Sequence, residues 1–234
     1  MSNTNSYFVV GVLALSGIIV FALATLLGPE AAPSARDTTA TNSAAGPLTA
    51  EQLVAYNVEM TNDKNPVAEF VTNKGTFELE LFKDTMPITA GNFIKLAEEG
   101  FYDGVKFHRV IEGFMIQSGD PITKTEEFLR YGTGGSGETI PDEHIMGEYL
   151  TNVRGTIAMA NSGPESGSSQ FFINVANNTN LDFNKPPLGS KHPVFGRVLN
   201  GMEVVDAIAF VETSPNNNLP LDPIVVEKIN IKQN

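Results

Sequence analysis

From Val67 to the C-terminus, the chain is divided into short apolar segments that are separated by glycine-containing turns. The first two segments, "VAEFVTN" and "TFELELF", flank the dipeptide Lys74-Gly75, and in the second of them apolar residues alternate with glutamate. Apolar residues at every second position next to a short turn predict a β-hairpin with one buried face. This pattern restricts the chain to a fold that is built mainly from short strands.

Two helices interrupt the predicted strands. Pro87–Glu99 has proline in its first turn and is followed by Gly100, a typical helix stop, and Met202–Phe210 is the second helix candidate. The remaining strand candidates are Val105–Ile111, Phe114–Gln117, Thr156–Ala160, Phe171–Val175, Pro193–Val198 and Ile224–Ile231. About eight strands and two helices predict a mainly β fold, a closed eight-stranded antiparallel β-barrel that is capped by the two helices.

The stretch from Tyr7 to Leu27 contains no charged residue. As a helix that rises ~1.5 Å per residue, it would span the ~30 Å hydrocarbon core of a bilayer. Ala22-Leu23-Ala24 fits the small-x-small pattern of a signal-peptide cleavage site, but the apolar run is long and the preceding "MSNTNS" has no Lys or Arg. We therefore expect a short N-terminal segment at residues 1–6 and a transmembrane helix or signal anchor at residues 7–27. A cleaved signal peptide is the alternative.

Residues 28–47 contain no apolar side chain larger than alanine, which predicts a flexible linker. Thr49 and Gln52 then form a capping-box pattern, which predicts a short helix within a helix-and-connector segment at residues 48–65. The strand-rich domain occupies residues 66–234. Because a lone N-terminal anchor typically holds its domain outside the cytoplasm, we expect this domain to be membrane-anchored and extracytoplasmic, with secretion after cleavage as the alternative.

The composition excludes several function classes. The 27 acidic and 15 basic residues give a net charge of −12, which would repel nucleic-acid phosphate. The chain has no cysteine, so disulfides, thiolate nucleophiles and cysteine-based zinc sites are excluded. We expect no nucleic-acid partner.

Sequence motifs for nucleotide binding, metal binding and serine hydrolysis are incomplete or absent. The segment "GTGGSG" at residues 132–137 matches G-x-G-x-x-G, but a proline-containing stretch follows it where a dinucleotide site needs a helix, so a tight turn is the better interpretation. None of the three histidines is paired with another at metal-ligand spacing, and no G-x-S-x-G elbow is present. We expect no metal and no cofactor.

The segment "FHRVIEGFMIQSGD" places an arginine among apolar residues. Strand alternation puts Met115 and Gln117 on one face, and it does the same for Gln170 and Phe172 in "SSQFFINV". If those faces meet near Arg109, the domain has a shallow apolar patch ringed by arginine and glutamine. This composition favours a site for an extended peptide with an apolar residue at its centre.

Several ordered motifs resemble the cyclophilins, which are peptidyl-prolyl cis-trans isomerases. They are "PITAGNFIKLAEEGFYDGVKFHRVIEGFMIQSGD", "GTGG", "GTIAMANSGPESGSSQFFI" and "HPVFGRVLNGMEVVDAI", and the similarity runs from about Val67 to the C-terminus. The resemblance implies a cyclophilin-like fold and acceleration of rotation about X-Pro peptide bonds. It implies proline-containing polypeptides as substrates, and for a chain with an N-terminal anchor we expect a monomer that assists the folding of exported or envelope proteins.

The resemblance also implies the roles of individual residues. Arg109 takes the position of the arginine that defines the cyclophilin active site. The pocket that receives the proline ring is implied at Phe114, Met115, Phe172 and Leu181. The rest of the groove is implied at Gln117, Ala160, Asn161, Gln170 and His192, with the backbone at Asn161 pairing with the substrate backbone. A proline-peptide binding chaperone or surface assembly module without catalysis is the alternative function, and it would not need Arg109.

Some positions depart from the family pattern. Asn180 replaces a tryptophan that contributes to cyclosporin binding in the family, so we predict weak inhibition, which submicromolar inhibition would contradict. Two insertions, at residues 122–131 and 183–191, are expected to border the groove and to alter substrate preference. The other departures are Glu112 for proline, Ser118 for glycine, and "ESGS" at residues 165–168 for "NTNG".

Overall fold

The computed structural model describes residues 64–146, 150–185 and 191–233. The predicted N-terminal segment, membrane span, linker and short helix, at residues 1–60, lie outside the described residues. Within the part of the chain that is described, no helix is long and apolar enough to cross a membrane.

The described residues form eight strands and two α-helices, close to the predicted positions. In chain order they are β1 (Val67–Thr72), β2 (Gly75–Leu81), α1 (Pro87–Glu98), β3 (Arg109–Ile111), β4 (Met115–Ser118), β5 (Thr156–Met159), β6 (Phe171–Asn174), β7 (Val194–Asn200), α2 (Met202–Ala209) and β8 (Val226–Lys232). Short 3-10 turns lie at Pro121–Lys124, Phe128–Arg130 and Thr179–Leu181.

The strands form one antiparallel sheet in the order β3-β4-β6-β5-β7-β2-β1-β8. The sheet is curled into a half-barrel, so the prediction of eight antiparallel strands is confirmed and the prediction that they form a closed barrel is wrong. The two ends meet through one bridge, between Lys106 and Val225. The outer edge of β3 is occupied instead by the loop before β8, since the amide of Val110 donates to the carbonyl of Asn218 at 2.9 Å.

The predicted strand at residues 105–111 is divided between two partners. Its first part lies along the start of β8, since the amide of Phe107 donates to the carbonyl of Ile224 at 2.9 Å and the carbonyl of Val105 accepts from the amide of Val226 at 2.8 Å. The part that pairs with β4 is β3, which begins at Arg109. This places the arginine at the very start of an edge strand.

Aromatic rings fill the concave side of the sheet. Phe93 of α1 is fully buried and packs edge-on against Phe171 of β6, with ring centroids 5.5 Å apart. It also stacks on Tyr102 at 5.1 Å. The helix is fixed from outside by Glu143, whose carboxylate accepts hydrogen bonds from the amides of Ile88 (3.1 Å) and Thr89 (2.8 Å) in the first helical turn. The core thus supports β6, which carries two of the predicted site residues at or beside its start.

Candidate active site

The segment "FHRVIEGFMIQSGD" folds into the β3–β4 hairpin. Arg109 lies opposite Gln117 and Ile111 lies opposite Met115, with a turn at Gly113, whose φ of 66° favours glycine. Val110 is buried in the core, so the alternation of the short strand turns Arg109 outward, where it is exposed. The hairpin therefore presents Arg109 and Gln117 on the same face, as the sequence predicts.

A chain of polar contacts runs from Arg109 across this face. Nη1 of Arg109 donates to Oε1 of Gln117 over a long 3.4 Å, and Nε2 of Gln117 donates to Oε1 of Gln170 at 3.0 Å. Nε2 of Gln170 in turn donates to the carbonyls of Gly134 (2.7 Å) and Gly132 (3.0 Å). The glycine turn that resembles a nucleotide motif is therefore a hydrogen-bond acceptor for the arginine–glutamine chain.

The apolar residues of the predicted proline pocket lie beside this chain. Met115 and Phe172 are 2% and 4% exposed, whereas Phe114 and Leu181 are half-buried and pack against the core. Phe172 lies opposite Gln117 in the β4–β6 ladder. The apolar floor and the polar chain are therefore contiguous on adjacent strands.

His192 borders the pocket on the side of Phe172. The two rings meet edge to face, with centroids 5.4 Å apart, and the amide of His192 donates to the carbonyl of Leu181 at 3.1 Å. Burial lowers the pKa of His192, although its contact with the Met159 carbonyl at 3.1 Å opposes that effect. A neutral ring with its Nδ1 proton on that carbonyl fits this geometry.

Ala160 and Asn161 directly follow the C-terminal end of β5. The amide of Ala160 donates to the carbonyl of Gln170 at 3.0 Å, and Nδ2 of Asn161 donates to the carbonyl of Lys191 at 2.7 Å. Both residues are half-buried. They therefore connect the polar chain to the segment that carries His192, and all ten predicted site residues belong to one connected region.

The charge of this region is concentrated at Arg109. Partial burial lowers the pKa of its guanidinium, which stays protonated at neutral pH because its ordinary pKa is so high. The adjacent His108 is 5% exposed, and burial lowers its pKa to about 4, so that its ring is neutral. Among residues 64–146, 150–185 and 191–233, no group of three His, Asp or Glu side chains could hold a metal ion.

Sequence reasoning missed Asp120, which organises the loop beside Gln170. Its carboxylate is fully buried and accepts hydrogen bonds from the amides of Ile122 (2.8 Å), Gly132 (2.6 Å) and Gly134 (3.3 Å). Asp120 followed directly by Pro121 is a helix-start signal that could have indicated a capping role.

A second polar group that sequence reasoning missed lies beneath Leu181 and His192. The buried carboxylate of Asp182 accepts from the amide (2.7 Å) and side-chain nitrogen (2.9 Å) of Asn152, and Nδ2 of Asn152 also donates to the carbonyl of His192 at 3.1 Å. Nothing in the spacing of these residues distinguishes them from solvated loop residues.

Two departures from the family pattern have structural explanations. Ser118 is buried, and its Oγ donates to the carbonyl of Lys106 at 3.1 Å. Ser168, in "ESGS", donates to the carbonyl of Glu138 at 2.6 Å and accepts from the amide of Ser136 at 3.0 Å. Glu112 is exposed in the hairpin turn, and nothing in the structure explains it.

Comparison with known proteins gives one family. A family model described as "Cyclophilin type peptidyl-prolyl cis-trans isomerase/CLD" matches residues 67–231. The chain is 41% identical over 172 residues to a peptidyl-prolyl cis-trans isomerase from Acinetobacter baylyi, covering 72% of this chain and 86% of that protein. It is 44% identical over 158 residues to a peptidyl-prolyl cis-trans isomerase-like 1 protein from Rhizopus delemar, covering 68% and 86%.

Solved structures show the same similarity. The crystal structure of a cyclophilin-type peptidyl-prolyl cis-trans isomerase from Cryptosporidium parvum matches with a TM-score of 0.61 at 28% identity, covering 73% of this chain and 99% of that one. A structure of the same protein in the presence of the dipeptide Ala-Pro also matches with a TM-score of 0.61 at 28% identity, covering 72% and 99%.

Proposed function

Since this chain belongs to the cyclophilin-type peptidyl-prolyl cis-trans isomerases and is an enzyme of that class, we propose that Arg109 is its catalytic residue. The observation that carries the proposal is the position of Arg109. It is a permanently charged group that is held by Gln117 at the edge of an apolar pocket. The substrates are polypeptides that contain proline.

The reaction requires a group of this kind. Rotation about an X-Pro bond interrupts amide resonance, against a barrier of ~18–20 kcal/mol, and the proline nitrogen regains its lone pair in the twisted state. A guanidinium aimed at that nitrogen, or at the substrate carbonyl, stabilises the twisted state more than either planar state. No bond is broken and no proton is transferred, so the enzyme needs only a positioned positive charge and a holding site.

The pocket of Phe114, Met115, Phe172 and Leu181 is the holding site in this proposal. Its two most buried members, Met115 and Phe172, belong to adjacent strands of the sheet, so their positions are fixed by the ladder. A proline ring that packs there leaves the rest of the amide free to turn. The related Cryptosporidium protein was crystallised in the presence of Ala-Pro, a dipeptide that contains such a bond.

The remaining groove residues orient the peptide. Gln117 and Gln170 present amides beside Arg109, while Ala160 and Asn161, just after the end of β5, offer backbone groups to the substrate. His192 closes the groove beside Phe172, where its neutral ring adds no competing charge. These roles divide the site into one charged group that acts on the amide and several neutral groups that hold it.

We further propose that the enzyme is a monomer that acts on exported or envelope proteins outside the cytoplasm, attached to the membrane through residues 7–27. The uncharged sequence of that stretch supports this proposal. Cell fractionation combined with protease protection tests it. We expect the isomerase in the membrane fraction and sensitive to protease added outside the cytoplasmic membrane, and a protected or soluble enzyme would contradict the proposal.

The catalytic role is tested by measuring turnover and binding separately. Exchange NMR on a short X-Pro peptide gives the isomerisation rate, and titration gives its affinity, for the full-length protein and its Arg109→Ala form. We expect the variant to lose turnover while it still binds the peptide, because the apolar pocket remains. If the wild-type protein binds the peptide without accelerating the exchange, the function is that of a binding chaperone.

A further inference from the structure

A second pocket adjoins Arg109 outside the proline pocket. It has a volume of about 490 Å³ and shares Arg109 and Gln117 with the candidate active site. Its other walls include Phe128, Leu129, Tyr131 and Leu219. We call it the 128–131 pocket. Its volume lies within the range of ~300–1,000 Å³ that is usual for ligand sites.

Three of these walls come from the insertion at residues 122–131, and that insertion is held by its own hydrogen bonds. The hydroxyl of Tyr131 donates to the carbonyl of Thr125 at 2.6 Å. Nη1 of Arg130 donates to Oε2 of Glu127 at 2.6 Å, and Asp120 caps the 3-10 turn at the start of the insertion. The insertion that forms this pocket wall is therefore an ordered loop, stabilised by its own hydrogen bonds.

The insertion directs apolar groups outward at the mouth of this pocket. Phe128 is 47% exposed and Leu129 is fully exposed. The ring of Phe128 lies 5.3 Å from that of Tyr131, tilted by 58°. Single exposed apolar residues are common on proteins, but these two are adjacent in sequence and border a pocket that contains the proposed catalytic arginine.

The electrostatics of the pocket favour an aromatic occupant. Arg109 supplies a positive charge at the wall, while the buried His108 beneath it is neutral. A guanidinium interacts favourably with the face of an aromatic ring, and Phe128 and Tyr131 in the pocket wall offer aromatic packing as well. Of the common side chains, those of Phe and Tyr match both contacts.

We propose that the 128–131 pocket is a substrate subsite that takes an aromatic side chain near the X-Pro bond. The proposal rests on the proposed function, since its occupant is a residue of the same polypeptide whose proline occupies the neighbouring pocket. Continuity with the candidate active site supports this occupant, because Arg109 and Gln117 line the 128–131 pocket together with Phe128, Leu129 and Tyr131 of the insertion. The inserted residues thus determine substrate preference.

The test compares substrates that differ only in one flanking residue. Starting from an X-Pro peptide whose other residues are alanine, phenylalanine replaces alanine at each flanking position in turn. The ratio of kcat/KM for each phenylalanine peptide to that of the alanine parent is measured for the full-length wild-type protein and for the Phe128→Ala/Leu129→Ala form. Ile88→Ala, which removes an exposed apolar side chain from α1, is the matched control.

We expect the wild-type protein to favour phenylalanine by roughly tenfold at one flanking position or more. The double variant should lose this preference, while Ile88→Ala should keep it. Because both altered side chains are exposed, the double variant is expected to stay folded, which circular dichroism checks. Equal ratios for the wild-type protein and the double variant, at every position, would overturn the proposal while leaving the isomerase function intact.

Two further outcomes would also count against the subsite. If no form of the protein isomerises any of the peptides, the proposed function itself fails, and the subsite fails with it. If the ratios do not change but the double variant elutes as a smaller species in size-exclusion chromatography, Phe128 and Leu129 form a contact between copies of this chain.

Discussion

Gln117 lies directly opposite Arg109 in the β3–β4 ladder, and its Oε1 is 3.4 Å from Nη1 of the arginine. The same amide is anchored on its other side, because its Nε2 donates to Gln170 at 3.0 Å. Gln117 therefore restrains the side chain of Arg109, which is exposed at the start of an edge strand. Without this contact, Arg109 would keep its charge, but its guanidinium would no longer be held in one orientation.

Gln117→Ala should therefore lower kcat/KM for an X-Pro peptide by about tenfold, because a displaced catalytic group stabilises the twisted amide less well. The surface variant Gln233→Ala should leave kcat/KM unchanged. Because the glutamine is argued to act through the arginine, Gln117→Ala should cause much less additional loss in an Arg109→Ala background than it does alone. Additive losses would show that Gln117 acts independently of Arg109.

His108 predicts a specific pH dependence of stability. Burial lowers its pKa to about 4 in the folded protein, whereas the unfolded ring has an ordinary pKa of ~6.5. Between these values the unfolded state binds a proton that the folded state does not, so the free energy of unfolding falls as the pH drops from 6.5 to 4. His108→Gln should reduce the decrease between pH 7 and pH 4.5 by about 2 kcal/mol, measured by urea unfolding. An identical decrease in both proteins would contradict this assignment.

The buried ion pair between Glu80 and Arg197 connects β2 and β7. Nη2 of Arg197 lies 2.8 Å from Oε2 of Glu80, and their side chains are 7% and 1% exposed. Arg197→Met would remove the ion pair from the buried carboxylate of Glu80, so it should lower the free energy of unfolding by about 3–5 kcal/mol. The matched control is Lys95→Met, which breaks the exposed pair with Glu138 and should cost at most about 1 kcal/mol. If the two variants lost similar amounts of the free energy of unfolding, burial would not explain the contribution of the Glu80–Arg197 pair to stability.

Gly119 allows a close approach between the end of β4 and the residues before β6. A Cβ atom there would lie 2.3 Å from the carbonyl oxygen of Ser169 and 2.9 Å from Cα of Gln170. Gly113 also has a positive φ, but its Cβ would meet no atom within 4 Å. Gly113→Ala should thus cost only the backbone strain of about 1–2 kcal/mol. Gly119→Ala should cost more than about 3 kcal/mol and should also lower activity, because Gln170 must move. Equal stability of the two variants would contradict this account.

The sequence predicted the strands and helices well, because their signals are local. The Lys74-Gly75 turn and the alternation that follows it specify the β1–β2 hairpin without reference to the rest of the chain. Closure of the sheet depends instead on which segment occupies the outer edge of β3. The segment at this edge is held there by the hydrogen bond between Val110 and Asn218, which are more than a hundred residues apart. The periodicity of the sequence does not predict a contact over that separation.

The residues of the candidate site also fall into two groups, those that the sequence predicts and those that only the structure identifies. Arg109, Gln117, Met115 and Phe172 follow from strand alternation and the resemblance, and the structure brings them together on adjacent strands. The sequence did not predict the roles of Asp120, Asn152 and Asp182. A buried polar residue in a loop cannot be distinguished by sequence from a solvated one. Only their hydrogen-bond partners identify them, and those partners are known only from the fold.

The central claim is that the charge of Arg109 accelerates isomerisation. The most direct measurement is kcat/KM on a short X-Pro peptide for three full-length proteins: the wild type, Arg109→Ala and Lys228→Ala, which removes one exposed positive charge from β8. We predict a loss of more than about tenfold for Arg109→Ala, equivalent to about 1.4 kcal/mol or more of transition-state stabilisation, and an unchanged value for Lys228→Ala. Equal rates for Arg109→Ala and the wild type would contradict the claim.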